Sequence, residues 1–405
     1  MKFFFLSFAL ASCNFFSQTH APASSPTPPI LSSLVSASNP QDAAEKINSS
    51  EVPFQLYRIL AREPKNTNFS PLSLKIAFSL VYPGSRESTQ KLFEDLFGFN
   101  SATPNPLRAE YDLSTKITAQ KSENQELLIQ NSAWFANQKA LQDSFKESLK
   151  TQDAFVGKIN IDEMNAWAAK STHDRIKKLI TSVDPKSRAI FINSIFLKQK
   201  WLLPFENQRT NIAHFQSTPS FSEKVPTLHS EMKVRYYQDE KAKWIALPYE
   251  NSPLVMYLAL PLKRFNLAEI DEALSSKLVT QVSSQMKEAD VIISIPKFNL
   301  TQTQSFKDLM IQAQFGEIFR TGDYSGIMEK PKLELSDIIQ AASISITESG
   351  TEAGAATAIQ MLEAGYHEPL MTKSFTADQP FLFLLRNDET KEIYWIGRIY
   401  SPLDQ

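Results

Sequence analysis

Glycine, cysteine and histidine are all scarce in this chain, and each shortage excludes something. Only 10 of the 405 residues are glycine, and no repeat with a period of roughly 20 to 50 residues is visible, which argues against stacked-repeat architectures. The single cysteine, Cys13, excludes any intramolecular disulfide and leaves no thiol for catalysis in the body of the chain. The histidines, His20, His173, His214, His229 and His367, are scattered, and ordinary surface or structural roles are expected for them. There is no His-Glu-x-x-His helix, Gly-x-Ser-x-Gly elbow, phosphate-binding loop or dinucleotide fingerprint. The net charge of −2 provides no basic surface for a nucleic acid. No catalytic residue, metal or cofactor is therefore expected, and the chain does not read as an enzyme.

What is present begins with an address. Met1-Lys2 precedes the apolar run Phe3 to Ala11, too short to span a bilayer and placed like a signal-peptide core. Leu10-Ala-Ser-Cys13 resembles a bacterial lipobox, in which the cysteine becomes the lipidated first residue. Ordinary secretory cleavage, with Cys13 incidental, is the alternative. Residues 1–12 then form a signal peptide and 13–40 a Ser/Pro/Ala-rich tether, and 41–405 fold as one domain. A lipid at Cys13 would hold the protein on the bacterial envelope after export across the inner membrane; without it the protein would be extracellular.

The body mixes helices and strands, with 42% hydrophobic and 11% aromatic residues to build a large core. Ala43 to Ala61 and Met164 to Ile180 have helical spacing, the second with a basic end. At Asn68-Phe-Ser-Pro-Leu-Ser73, Ser70 caps a helix whose first residue is Pro71. Gln125 to Phe135 reads as a strand. So does Ala189 to Leu197, a buried run broken only by Asn193, whose amide must find partners. Ile339 to Thr347 alternates like a half-buried strand, and Phe381–Leu385 and Tyr394–Tyr400 read as core strands.

Between those last strands lies an odd stretch. From Thr351 to Ala358 nearly every side chain is tiny: Thr351, Ala353, Gly354, Ala355, Ala356, Thr357, Ala358. Flexible linkers use Gly and Ser; this run uses Ala and Thr. Such residues would let the segment enter a packed sheet as an extra strand, where a bulky or charged residue would cost roughly 2 kcal/mol or more. About ten added residues, each gaining a net bond of about 1 kcal/mol, would release on the order of 10 kcal/mol.

Glu348-Ser-Gly-Thr-Glu-Ala-Gly-Ala-Ala-Thr357 resembles the hinge of the serpins, the serine-protease-inhibitor family, and the likeness runs in order from about Ala43 to Pro402. It takes in Asn68-x-Ser70-Pro71-x-Ser73, Asn165-x-Trp167 with Thr172 and Ile176, Asn193, and Trp201, Pro204, Phe205, Thr210 and Phe215. Leu247-Pro-Tyr249, Leu260-Pro261 and Ile295-Pro-Lys-Phe298 continue it. The resemblance implies an α+β serpin fold of large mixed sheets surrounded by helices, with a reactive-centre loop at about 348–379 that can insert into the central sheet.

It further implies a hinge at Glu348, Gly350, Thr351, Glu352, Ala353, Gly354, Ala355, Ala356 and Thr357. A polar gate, or shutter, follows from Ser70, Ser73, Asn193 and Gln340. Many relatives place a histidine where this chain has Gln340; a glutamine keeps the hydrogen bonds but cannot titrate near neutral pH. The reactive bond falls between Ala364 and Gly365, with Met361, Leu362 and Tyr366 as alternative positions. The implied function is irreversible, suicide-substrate inhibition of a serine endopeptidase by a metastable monomer; the alternative is a non-inhibitory binding or chaperone protein of the same fold. The region around 104–127 lacks a basic stripe, so heparin-type activation is not expected.

Overall fold

The computed structural model describes residues 47–100, 107, 111–113, 116, 126–330, 332–351 and 372–403. Cys13, hinge residues Glu352 to Thr357 and every expected reactive-bond residue from Met361 to Tyr366 lie outside them, as does most of the region weighed for heparin. Each described helix and strand belongs to the unit Asn48–Gln405.

The strands in chain order are β1 (Thr67–Phe69), β2 (Glu126–Phe135), β3 (Phe155–Lys158), β4 (Ala189–Lys200) and β5 (Asn211–Thr218). Then come β6 (Phe221–Gln238), β7 (Ala242–Pro248), β8 (Leu254–Pro261), β9 (Lys287–Pro296) and β10 (Phe298–Ser305). The last are β11 (Leu335–Ile346), β12 (Gly350–Thr351), β13 (Lys373–Thr376), β14 (Phe381–Asn387) and β15 (Ile393–Ile399). The helices are α1 (Val52–Leu60), α2 (Pro71–Val81), α3 (Glu87–Phe97), α4 (Asp143–Thr151) and α5 (Ile161–Ser171). They continue with α6 (Leu267–Ala273), α7 (Ser276–Gln285), α8 (Phe306–Gln312) and α9 (Glu317–Arg320). One sheet runs β1-β15-β14-β8-β7-β6-β9-β13, with β5 on β6. The other runs β10-β11-β12-β4-β2-β3, and there β11 also pairs directly with β4.

Helix α2 lies between the two sheets, against β4, β11 and β15. Its sequence dictates both its start and its burial. Ser70 accepts from Ser73 N at 3.0 Å and Pro71 fills the first position, where a missing N–H costs nothing. Behind that cap, Leu72, Ile76, Ala77, Phe78 and Leu80 are fully buried, so the helix is apolar nearly all round, as a core helix must be. Leu72 and Ile76 join Ile195, Leu197, Ala342, Ile344 and Ile346 in the core on the inner face of the six-stranded sheet.

Helix α5 covers that sheet's other face, where Met164 and Ala168 pack with Trp134, Ile190, Ile192 and Ala341. It stops at Ser171, short of the expected Ile180. The Thr172 hydroxyl donates to Ala168 O at 2.7 Å and accepts from Ile176 N at 3.0 Å. His173 and Asp174 then take positive φ of 48° and 62°, which no helix continues through. Lys177 and Lys178 therefore leave the helix, although Ile176, Leu179 and Ile180 still pack on the same face.

Three other expectations shift. The first helix begins at Val52, with Pro53 in its first turn. Strand β11, expected to be half-buried, is buried on both faces because α5 covers one side and the core the other. The loop expected to reach residue 379 gives way earlier to β13, whose Phe375 is fully buried and whose residues pair in parallel with β9.

Candidate functional site: a gated slot in the six-stranded sheet

Strands β4 and β11 are parallel neighbours from Leu335↔Ala189 to Ser343↔Phe196, in unbroken register from Asp337↔Ile190 onward. Above that point they diverge, and β12 sits between them. Thr351 pairs with Ile346 on one side and Gln199 on the other, antiparallel to both, and Gly350 pairs with Lys200. The chain thus makes the first rung of a new strand at the mouth of the slot. Glycine is required there: φ is +154°, and a Cβ would fall on the carbonyl oxygen of Gln199.

The turn leading into β12 is tied down at each residue. Trp201 N donates to Ser349 O at 3.0 Å, Phe205 N to Glu348 O at 2.8 Å, and Thr347 N to Gly350 O at 2.9 Å. The Trp201 indole donates to Thr347 O at 3.1 Å. The Glu348 carboxylate receives Lys297 Nζ at 2.9 Å and the Thr210 hydroxyl at 2.9 Å. Burial pushes this carboxyl up, but the bonds from Lys297, its own backbone and Thr210, with the lysine's charge, outweigh burial and hold it below its ordinary value. Thr351 is fully buried, and its hydroxyl meets Tyr249 OH at 2.5 Å.

A second polar cluster lies lower in the slot, between the sheet and α2, where Gln340 pairs with Asn193. All four residues expected at the gate meet here, fully buried. The Ser73 hydroxyl donates to Asn193 Oδ1 in a short bond. The Gln340 amide donates to Ser70 O at 3.3 Å and accepts from Ser70 N at 3.4 Å. The glutamine thus bridges β11 to the cap of α2, and Asn193 bridges β4 to the same helix turn. Asn193 Nδ2 donates to Asn131 Oδ1 at 2.7 Å and Gln130 O at 3.3 Å, and Asn131 donates to Tyr111 OH at 2.7 Å. Burial pushes the Tyr111 phenol up to about 12, against the opposing effect of the Asn131 bond, so it stays neutral through the working range. Because a buried amide stripped of partners costs about 1–3 kcal/mol, this network favours the closed pairing of β4 and β11.

Sequence reasoning named the four residues that meet in the lower cluster, and Glu348, Gly350 and Thr351 at the slot's mouth, but assigned no role to Lys297, Trp201, Thr210 or Tyr249, although each stood in a quoted motif. It missed Asn131 and Tyr111 altogether. Asn131 carried a usable signal, since it interrupts an apolar strand as Asn193 does. Among the described residues no group of three or more His, Cys, Asp or Glu is placed to hold a metal.

Comparisons with known proteins converge. The family profile described as Serpin (serine protease inhibitor) matches residues 47–402. An uncharacterized serpin-like protein of Methanosarcina acetivorans is 29% identical over 365 residues, 86% of this chain and 84% of that protein. Intracellular coagulation inhibitor 2 of Tachypleus tridentatus is 26% identical over 85% of this chain and 88% of its own length. Among solved structures, human thyroxine-binding globulin superposes with a TM-score of 0.75 at 22% identity, covering 87% of this chain and 97% of that one, a likeness of fold.

Proposed function

The chain belongs to the serpin family, whose members are generally inhibitors of serine proteases, and on that premise we propose that it traps a serine endopeptidase by inserting its loop between β4 and β11. The observation that carries this is β12, already seated between those strands. Serpin loop insertion is an established case of strand addition that releases stored strain.

Continuing both registers of Thr351 gives the order of insertion. Ala353 would come opposite Ile344 and Leu197, Ala355 opposite Ala342 and Ile195, and Thr357 opposite Gln340 and Asn193. Residues of that parity face the apolar core around Leu72 and Ile76, where small side chains enter without a clash. Thr357 brings a hydroxyl to the level of the polar gate, where Ser70, Ser73, Asn193 and Gln340 can take it up. The alternate positions Gly354, Ala356 and Ala358 face α5, where bulk would lift that helix. Met361 would reach Ala189, the end of β4, so Ala364 and Gly365 would lie just beyond the sheet. Twelve residues of β4 at about 3.3 Å each amount to roughly 40 Å of travel.

The chemistry is the protease's own. Its serine oxygen attacks the Ala364 carbonyl carbon, the bond to Gly365 nitrogen breaks, and the protease's base delivers the proton to the departing amine. Insertion then drags the acyl-enzyme to the far end of the sheet before water can cleave the ester. No Lys or Arg occurs between Ser349 and Thr372, so a trypsin-like pocket is disfavoured. Cleavage after Ala364 suits elastase- or subtilisin-like enzymes; Met361, Leu362 or Tyr366 would suit chymotrypsin-like ones. Anchoring through lipidated Cys13 would place this activity at the cell envelope.

The test is a short incubation of the protein with elastase-, subtilisin-, chymotrypsin- and trypsin-like proteases. Denaturing gels would show a covalent complex, and mass spectrometry of the released C-terminal peptide would identify the cleaved bond. Clean cleavage without complex across the panel, with no gain in heat stability afterwards, would refute inhibition by insertion and leave a non-inhibitory binding protein.

A further inference from the structure

The backbone pairs that seat Thr351 are open to many residues, unlike the glycine before it; one side-chain interaction singles out the threonine. Its hydroxyl and Tyr249 OH share a 2.5 Å bond inside the core, with Thr351 at 0% exposure and Tyr249 at 2%. Tyr249 has little freedom to move. Its ring stacks on Trp201 at 4.5 Å and 23°, its backbone forms a bridge with Trp201, and its N–H donates to Leu254 O at 3.1 Å. Trp201 in turn holds the carbonyls of Thr347 and Ser349, so one aromatic pair touches the hinge at three successive points. Packing alone would be served by phenylalanine. A buried tyrosine hydroxyl needs a partner, and here that partner is the residue at the mouth of the slot. Beside it Gln199, paired with Thr351, keeps Oε1 buried and without a hydrogen-bond partner among the described residues while Nε2 donates to Glu250 O at 2.7 Å. The side chain at this rung that binds Thr351 is therefore the tyrosine's.

We infer that Tyr249 is a positioning residue that keeps the hinge threaded by its first rung, and so sets how fast an acylated loop inserts relative to hydrolysis of its ester. This rests on the insertion reading above. With the rung in place, insertion extends an existing strand end; without it, the loop must first find the slot, the slow nucleation step of any ordered segment. Withdrawal of the hinge would leave the Tyr249 hydroxyl unpaired in the core, and one such bond biases the threaded state about 5-fold.

The experiment compares wild type with Tyr249→Phe, Thr351→Val, the double variant and Thr351→Ser. Two quantities are read: inhibitor consumed per protease trapped, and hydrogen exchange at the Gly350 and Thr351 amides of the uncleaved protein. Tyr249→Phe and Thr351→Val should each speed exchange about 5-fold and raise the consumption in excess of one-to-one by the same factor. The second-order rate of loop attack should not fall. The double variant should do no more than either single, and Thr351→Ser, which keeps the hydroxyl, should behave as wild type. Unchanged exchange in Tyr249→Phe, or additive effects in the double, would overturn the assignment. Thr351→Val keeps the test open if the tyrosine variant fails to fold. Should wild type trap no protease at all, the inhibitory reading fails, and the exchange rates still decide the role of Tyr249.

Discussion

Arginine in place of Thr351 separates the two uses of the hinge. The threonine is fully buried between β4 and β11, its hydroxyl on Tyr249. Among the described residues no carboxylate bonds it: Glu348 is engaged by Lys297 and Thr210. A guanidinium at this rung would be a buried charge with no counter-ion among the described residues, a loss of about 3 kcal/mol or more. In the resting protein the hinge escapes that cost by leaving the slot, giving up only the first rung, worth about 1 kcal/mol per bond. The acyl-enzyme has no such escape, because insertion must pass through this rung. A 3 kcal/mol barrier increase slows insertion roughly 100-fold, while the ester hydrolyses at its usual rate. The variant should thus melt within a few degrees of wild type yet be consumed as a substrate, with little covalent complex on a denaturing gel and no rise in heat stability after cleavage. Trapping at the wild-type ratio would refute insertion through this slot.

Other expectations follow from the same geometry. Asn193→Ala strands Asn131 Oδ1 and the Ser73 hydroxyl, and should lower unfolding free energy by about 1–3 kcal/mol, read by urea denaturation; a midpoint equal to wild type would mean the cluster carries no stability. The Glu348 carboxyl is held below its unfolded value, so its contribution is present at neutral pH and disappears as acid titrates it through the folded pKa. Lys297→Met should therefore destabilise the protein at pH 7 and flatten the acid limb of a melting-temperature profile; parallel limbs would show the pair to be neutral. Asp337, at the lower end of β11, accepts from Ser305 Oγ at 3.0 Å and Ile338 N at 2.7 Å. Burial pushes its carboxyl up from 3.8 to about 6 against those bonds. Raised folded pKa means stability that is full below the unfolded value and lost as pH rises through about 6, so Asp337→Asn should remove that slope and leave the variant relatively more stable at pH 7 than at pH 4.

Much of this protein's fold is legible in its sequence. Local rules were enough where the physics is local: Ser70 and Pro71 start α2 where a capping serine and a first-turn proline must, and the apolar run after them stays inside. The hydrophobic stretch of β4 announced a buried strand, and Asn193, the polar break within it, announced a polar cluster because a buried amide cannot go unpaired. The small size of the side chains after Thr351 was likewise plain, since a side chain's volume is written in the residue itself, although those residues lie outside the described ones. What depended on distant partners was not legible. Helix α5 ends at Ser171 because Thr172 finds local bonds and the following residues find a sheet to pack on. The alternation in β11 looked half-exposed because a strand's pattern cannot say that a helix will cover its second face. Tyr111 and Asn131 meet Asn193 only once β2 lies beside β4, and Lys297 reaches Glu348 from far along the chain. Above all, the sequence by itself determined that the side chains of the hinge are small; only the tertiary structure decided that Gly350 and Thr351 pair between β4 and β11, because that rung exists where the two strands diverge and Tyr249 offers its hydroxyl between them.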